Sequence, residues 1–313
     1  MTRDLVVALS GGVGGAKLAL GLAHVVAPEN LLIIANTGDD FEHLGLSISP
    51  DIDTLTYALA GLDNKTLGWG RQDETWNFME TLATIGGPTW FRLGDRDLAL
   101  HALRTMRLKA GETLAAITAD VARRLGIAAT ILPMSNDPVR TQVDSDEGLL
   151  DFQDYFVGRQ CRPVVKSLRF AGAETAAPHP DFIAALASPR LRAIVICPSN
   201  PFISVEPILA LPGVRAAFAA RTAPVVAVSP IIGGRAVKGP TAKMMAELGI
   251  APSAAAVAAR YATFLDGYVI DTEDAALAPT LALPCTVAAT LMTTLEHKTA
   301  LARVTLDLAD SLR

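Results

Sequence analysis

Apolar runs and glycine-rich breaks alternate along this chain in the order expected of strands and helices stacked in layers. Leu5 to Leu9 is an unbroken apolar run, which reads as a first strand. It passes into Ser10-Gly11-Gly12-Val13-Gly14-Gly15-Ala16-Lys17, then an Ala/Leu-rich helical pattern through about Val26, then a second apolar run from Leu31 to Ala35. A strand, loop, helix and strand in that order predict a right-handed crossover and a parallel sheet. A further helix is expected from Asp53 through Leu59, with Gly61 ending it. Helical patterns follow around Glu74 to Ile85, Leu98 to Arg107 and Thr113 to Leu125. Thr141 to Val143 and Leu149 to Phe156, separated by acidic turn residues and Gly148, read as a hairpin, with Val164 to Phe170 as a third strand. The parallel-sheet pattern returns at Ala193 to Cys197, Pro224 to Val228 and Tyr268 to Asp271. Thr290 to Leu312 reads as an amphipathic closing helix, with Leu291, Leu295, Ala302, Leu306 and Ala309 on one face. The fold class expected is α/β: a parallel-sheet core from residues 1–65 and 171–313, with residues 66–170 as a mixed helix and hairpin insertion.

Composition narrows the class. A chain of 313 residues with 50% hydrophobic content can bury a large core, as one big domain or two modest ones. Its net charge of -5 gives no basic field for a nucleic-acid backbone. Cys161, Cys197 and Cys285 are odd in number and widely spaced, which suggests neither a disulfide framework nor a zinc site and fits a reducing cytoplasm. The amino-terminal apolar run is too short for a signal peptide. Ala275 to Leu295 carries no charge, but Pro279, Pro284 and five threonines interrupt it, so no membrane span is expected. The five histidines share no ligand spacing, and no Gly-x-Ser-x-Gly elbow favours acyl transfer.

The candidate chemistry centres on Asn36-Thr37-Gly38-Asp39-Asp40 and Ser49-Pro50-Asp51-Ile52-Asp53-Thr54. The first follows an apolar run and should form the loop at a strand's carboxyl end, where open parallel sheets bind ligands. Four carboxylates this close repel one another and call for a cation or a basic ligand group, although Asp51 and Asp53 can also cap the helix they begin. The glycine loop satisfies neither familiar phosphate motif: Lys17 stands where a dinucleotide fingerprint wants glycine, and Ala16-Lys17-Leu18 stands where a Walker loop wants Gly-Lys-Ser/Thr. Close backbone approach, free N–H groups at a helix start and Lys17 nevertheless suit a phosphate or diphosphate; a tight turn with no ligand is the alternative. Trp69 and Trp76 can stack on a planar ring or serve as core residues. Arg92 and Arg96 flank a tight Gly94-Asp95 turn, ready to hold an anion or to pair with nearby carboxylates. Pro198-Ser199-Asn200-Pro201 and Ser229-Pro230-Ile231-Ile232-Gly233 are rigid strand-end loops that suit a base or phosphate across the sheet edge.

These segments, together with Leu93-Gly94-Asp95-Arg96-Asp97 and Leu132-Pro133-Met134-Ser135, closely resemble in sequence and order the 2-phospho-L-lactate transferase family of coenzyme F-420 biosynthesis. The resemblance covers nearly the whole chain. It implies a Rossmann-like core with helices on both faces, an insertion that helps to form the acceptor site, and an enzyme dependent on Mg2+. A phospholactyl or similar phospho-acid group would pass from a guanosine diphosphate-linked donor to the terminal ribityl hydroxyl of the deazaflavin Fo, releasing GMP. By the same resemblance Asp53 and Arg92 bind Fo, with arginine where the family often has lysine. Gly11, Gly12, Gly14, Gly15, Lys17, Ser199, Asn200, Ser229 and Gly233 would hold the guanosine diphosphate part. Asp39 and Asp51 are the expected metal ligands, with Asp53 positioning or deprotonating the attacking hydroxyl. The apolar closing helix is compatible with a homodimer. The competing reading is a non-catalytic nucleotide-sugar-binding regulator of similar fold. A nicotinamide oxidoreductase fits less well, because position 17 lacks its glycine and no residue set for hydride transfer is evident.

Overall fold

A computed structural model of the chain describes residues 3–313. The strands are β1 (Leu5–Ser10), β2 (Leu31–Ala35), β3 (Phe41–His43), β4 (Leu46–Ile48), β5 (Thr130–Pro133), β6 (Arg140–Ser145), β7 (Gly148–Asp151), β8 (Val165–Ala171), β9 (Leu191–Ile196), β10 (Val225–Val228), β11 (Ile231–Ile232), β12 (Arg235–Ala236), β13 (Gly267–Asp271) and β14 (Cys285–Ala288). The helices are α1 (Gly12–Ala23), α2 (Pro50–Leu59), α3 (Asn77–Thr84), α4 (Asp95–Lys109), α5 (Leu114–Arg124), α6 (Pro180–Leu186), α7 (Glu206–Leu209), α8 (Val214–Ala220), α9 (Thr241–Glu247), α10 (Ala254–Arg260) and α11 (Leu295–Ser311).

Seven strands make one parallel sheet in the order β14-β13-β10-β9-β1-β2-β5. The apolar run at Leu5 has no polar alternation because β1 lies mid-sheet and is covered on both faces. Val7 and Leu9 face one core layer, with Phe182, Ile208, Phe218 and Tyr268, while Val6 and Ala8 face the other, with Leu18, Leu55 and Leu306. From β1 the chain builds outward to β2 and β5, then returns to add β9, β10, β13 and β14 on the other side. The gap between the carboxyl ends of β1 and β9 is therefore a topological switch point, and the glycine loop and Pro198-Ser199 flank it.

Three elements differ from the sequence-based expectation. Thr130–Pro133 is an unexpected edge strand beside β2; it belongs to the 66–170 segment yet joins the central sheet. Its proline sits at the end of an edge strand, where a lost ladder donor is tolerated. The hairpin strand expected to reach Phe156 stops at Asp151, and Asp154–Gly158 coils into a π-helical turn. Phe152, Gln153 and Tyr155 are all buried, whereas a strand would send neighbours 152 and 153 to opposite faces. The closing helix starts at Leu295, where Thr294 caps it by accepting from the His297 N–H at 3.3 Å. That start leaves Leu291 in a loop, and both Leu291 and Leu295 are exposed, at 49% and 42%. The remaining apolar face, Ala302, Leu306 and Ala309, is spent inside the subunit, where α11 packs on α1. Among the described residues no single helix is long and apolar enough to cross a membrane.

The α1–α11 contact depends on Gly21, where an added Cβ would lie 2.2 Å from the Lys298 carbonyl oxygen. In an open helix Gly→Ala gains about 1 kcal/mol of propensity. Here overpacking of about 1–3 kcal/mol should outweigh it. Gly21→Ala is therefore expected to lower the denaturant midpoint, and a raised midpoint would show that the helices do not approach so closely.

Candidate active site

The glycine loop is shaped first by packing. An added Cβ at Gly14 would meet the Pro198 carbonyl oxygen at 2.3 Å, one at Gly15 the Ser10 and Ser199 hydroxyls at 2.6 Å, and one at Gly11 the Ser204 Cβ at 2.5 Å. These glycines let the loop lie flat on the loop after β9, and the Gly11 N–H donates to Ser199 Oγ at 3.1 Å. Gly12 is different: its φ of +64° is left-handed and its Cα faces open space. Its N–H donates to Asp51 Oδ1 at 2.6 Å. Lys17, one turn into α1, lines the same cavity, and burial, with Lys238 and Lys298 nearby, lowers its ammonium pKa.

Asn36, at the end of β2, ties the acidic loop together. Its Nδ2 donates to Asp51 Oδ2 at 2.9 Å and to the Ile203 carbonyl at 3.2 Å, while its Oδ1 accepts from the Gly38 N–H at 2.9 Å. Asp51 is thus fixed on both oxygens, and burial still raises its pKa to about 6. Asp39 is 7% exposed, and its Oδ1 has no hydrogen-bond partner among the described residues. Burial, compounded by the charge of Asp51, pushes its carboxyl well above the usual range.

The other two aspartates face elsewhere. Asp40 accepts from Ser49 Oγ at 2.7 Å, and burial raises its pKa to about 7 despite the fields of Arg140 and Arg104. Asp53 is gripped by Arg104, which donates to both carboxylate oxygens and is itself only 2% exposed. Asp97, His101 and Tyr57 complete this buried network. Asp53, Asp97 and His101 could converge on a metal ion, but the Arg104 guanidinium already supplies the compensating charge. Asp39 and Asp51 form a buried acidic pair that has no such partner among the described residues, and they present an all-oxygen donor set to the cavity.

That cavity holds about 700 Å³. Of the residues singled out in the sequence, Gly11, Gly12, Gly14, Lys17, Asp39, Asp51, Ser199, Asn200 and Ser229 line it, and so does Arg92, whose guanidinium lies 4.1 Å over the Trp76 ring. Asp53, Gly15 and Gly233 do not reach it; the Gly233 N–H donates to Asp274 Oδ2 at 3.0 Å. Asn200 reaches it, but its Oδ1 is occupied by the Phe202 and Ile203 N–H groups. Trp69, Trp90 and Phe91 from the segments between α2 and α4, Phe152 and Gln153 just before the π-helical turn, Phe156 within it, and Thr290 to Met292 add further wall. Of these the sequence singled out Trp69 alone as a ring-stacking candidate.

The Gly-Asp-Arg-Asp motif is chiefly a clasp. Asp95 accepts from the Asn77 and Phe78 N–H groups at the start of α3, while Glu74 accepts from the Arg96 and Asp97 N–H groups at the start of α4. Arg92 lies just before this clasp, over the Trp76 ring that precedes α3. Since Asp53 and Arg104 compensate each other away from water, Arg104→Met is expected to cost about 3–5 kcal/mol of stability in chemical denaturation. Adding Asp53→Asn should recover part of that loss. A loss below about 1 kcal/mol would place the pair in contact with solvent.

Residues 6–283 match the family model described as 2-phospho-L-lactate transferase CofD. A phosphoenolpyruvate transferase of Streptomyces griseus is 40% identical, over 98% of this chain and 99% of its own. A 2-phospho-L-lactate transferase of Methanosarcina mazei is 36% identical, over 94% of this chain and 97% of its own. A crystal structure of a UPF0052 family member from Bacillus halodurans superposes with a TM-score of 0.62 at 15% identity, covering 98% of this chain and 99% of the other, which shows a shared fold. On the family match and these full-length relatives, the chain belongs to the 2-phospho-L-lactate transferase CofD family, transferases of coenzyme F-420 biosynthesis.

Proposed function

We propose that the protein transfers a phospholactyl-type group, the class that includes phospholactate, phosphoenolpyruvate and phosphoglycerate, from a guanosine diphosphate-linked donor to the terminal ribityl hydroxyl of Fo. The hydroxyl oxygen bonds to the phosphorus bearing the organic acid. The P–O bond to GMP breaks, its electron pair leaves with GMP, and the hydroxyl proton ends in solvent. The observation that carries this reading is the buried, uncompensated Asp39–Asp51 pair facing a glycine loop at the switch point, in one cavity with an aromatic wall.

The free Asp39 Oδ1 and the hard oxygen donors fit a divalent cation such as Mg2+, held by Asp39 and Asp51 together with donor oxygens. Such an ion would neutralise charge gathering on the diphosphate as GMP departs. The protein's own groups supply the rest. The backbone at Gly12, with Lys17, suits the diphosphate, while Ser199 and Ser229 line its path across the sheet. Arg92, flattened on Trp76, with Trp69, Trp90 and Phe91, forms a surface for the planar deazaflavin. Asp53 acts from behind: paired with Arg104, it fixes the first turn of α2 and so the direction of Asp51. Three free cysteines accord with a cytoplasmic enzyme.

Incubation with Fo, each of the three guanylated donors in competition, and Mg2+ should give a phosphodiester product by mass, and the preferred donor identifies the acid. Chelation should abolish the reaction and Mg2+ restore it. Asp51→Asn should lower kcat by about 100-fold or more. Asp53→Asn should also reduce turnover; full activity would remove Asp53 from the working set. No product from any donor would overturn the proposal.

A further inference from the structure

An alcohol that attacks a charged phosphorus must be aimed, and the acceptor that aims it should not add negative charge. A third carboxylate beside Asp39 and Asp51 would repel the anionic donor, whereas a neutral carbonyl-type oxygen would not. Asn200 offers such an oxygen at the cavity, but Phe202 and Ile203 already use it. Gln160 stands on the exposed rim. Gln153 remains.

Gln153 is 5% exposed and lies in the cavity wall. Its Nε2 donates to the main-chain carbonyl of Asp39 at 3.3 Å. A carbonyl can only accept, so this contact fixes which way the amide is turned. Among the described residues nothing donates to the Gln153 Oε1, which is left for a ligand. The break in the strand at Asp151 and the π-helical turn that follows carry this side chain inward, beside Phe152, rather than out to solvent. The neutral acceptor is thereby tethered to the residue that bears the free carboxylate oxygen of the acidic pair.

We propose that Gln153 Oε1 accepts a hydrogen bond from the attacking ribityl hydroxyl of the deazaflavin and points its lone pair toward the phosphorus. This rests on the transfer reaction proposed above and assigns the orientation of its nucleophile. An amide oxygen can orient the hydroxyl without removing its proton, so the role assigned to Gln153 is aim and not basicity. Gln153 donates to Asp39 through one end of its amide and orients substrate through the other.

The test compares wild type with Gln153→Met, which keeps length and removes both polar ends, and with Gln153→Leu. Transfer to Fo should fall by up to about 100-fold in kcat. The KM for the guanylated donor, the GDP affinity measured by titration, the Mn2+ affinity measured directly on the protein, and the slow attack of water on the donor without Fo should stay within about twofold. Unchanged transfer kinetics would overturn the inference. So would a parallel fall in transfer and donor hydrolysis, or weakened Mn2+ binding, since either would mean that Gln153 only shapes the Asp39 loop. GDP binding by both variants shows that they are folded. Failure of the wild type to form a phosphodiester would instead refute the proposed function.

Discussion

Two carboxylates kept out of water without a cation of their own are the constraint around which this protein is built. Asp39 and Asp51 come from different elements, a loop after a strand and the first turn of a helix; burial raises the cost of ionising both, and the charge of Asp51 adds to that of Asp39. The fold meets that cost with backbone N–H groups and with Asn36, which touches Asp51, Gly38 and the chain at Ile203 at once. Such an arrangement stores a demand for positive charge at one place. The switch point between β1 and β9 puts that place where a diphosphate can reach it.

The contrast with Asp53 is instructive. Residues two apart on a helix point about 200° apart. Asp51 and Asp53 therefore cannot both serve the cavity: one faces the glycine loop, and the other faces α4 and Arg104. The same division separates Asp39 from Asp40, which lies toward Arg104 and Arg140. What reads in one dimension as a cluster of four is, in three, one pair left open and two residues in a field that arginines already fill. The glycine-rich β-loop-α-β start, the return of parallel strands after residue 190 and the rigid loops at their ends are legible because each is local: period, turn residues and chain order determine them.

What was not legible depends on distant partners. Thr130 to Pro133 is too short and too plain to announce a strand, and becomes one because β2 offers an open edge. Phe152 to Tyr155 has strand-like composition, yet two adjacent residues must both face inward, and only a coiled backbone permits that. Arg104 shows no sign in sequence of its role, since its partner lies 51 positions away and its burial comes from α4 settling on β4, where it also donates to the Ser47 carbonyl. The Gly-Asp-Arg-Asp motif was visible as a turn, but its work as a clasp depends on Glu74, which no motif marked.

The position of β1 has a consequence for biosynthesis. Its neighbours are β2, which begins at Leu31, and β9, which begins at Leu191, so the second flank of this interior strand is supplied only after well over half of the chain has been translated. Until then its apolar edge and the nascent glycine loop stay unpaired, which makes late, high-contact-order assembly and exposure to aggregation during synthesis inherent to this topology.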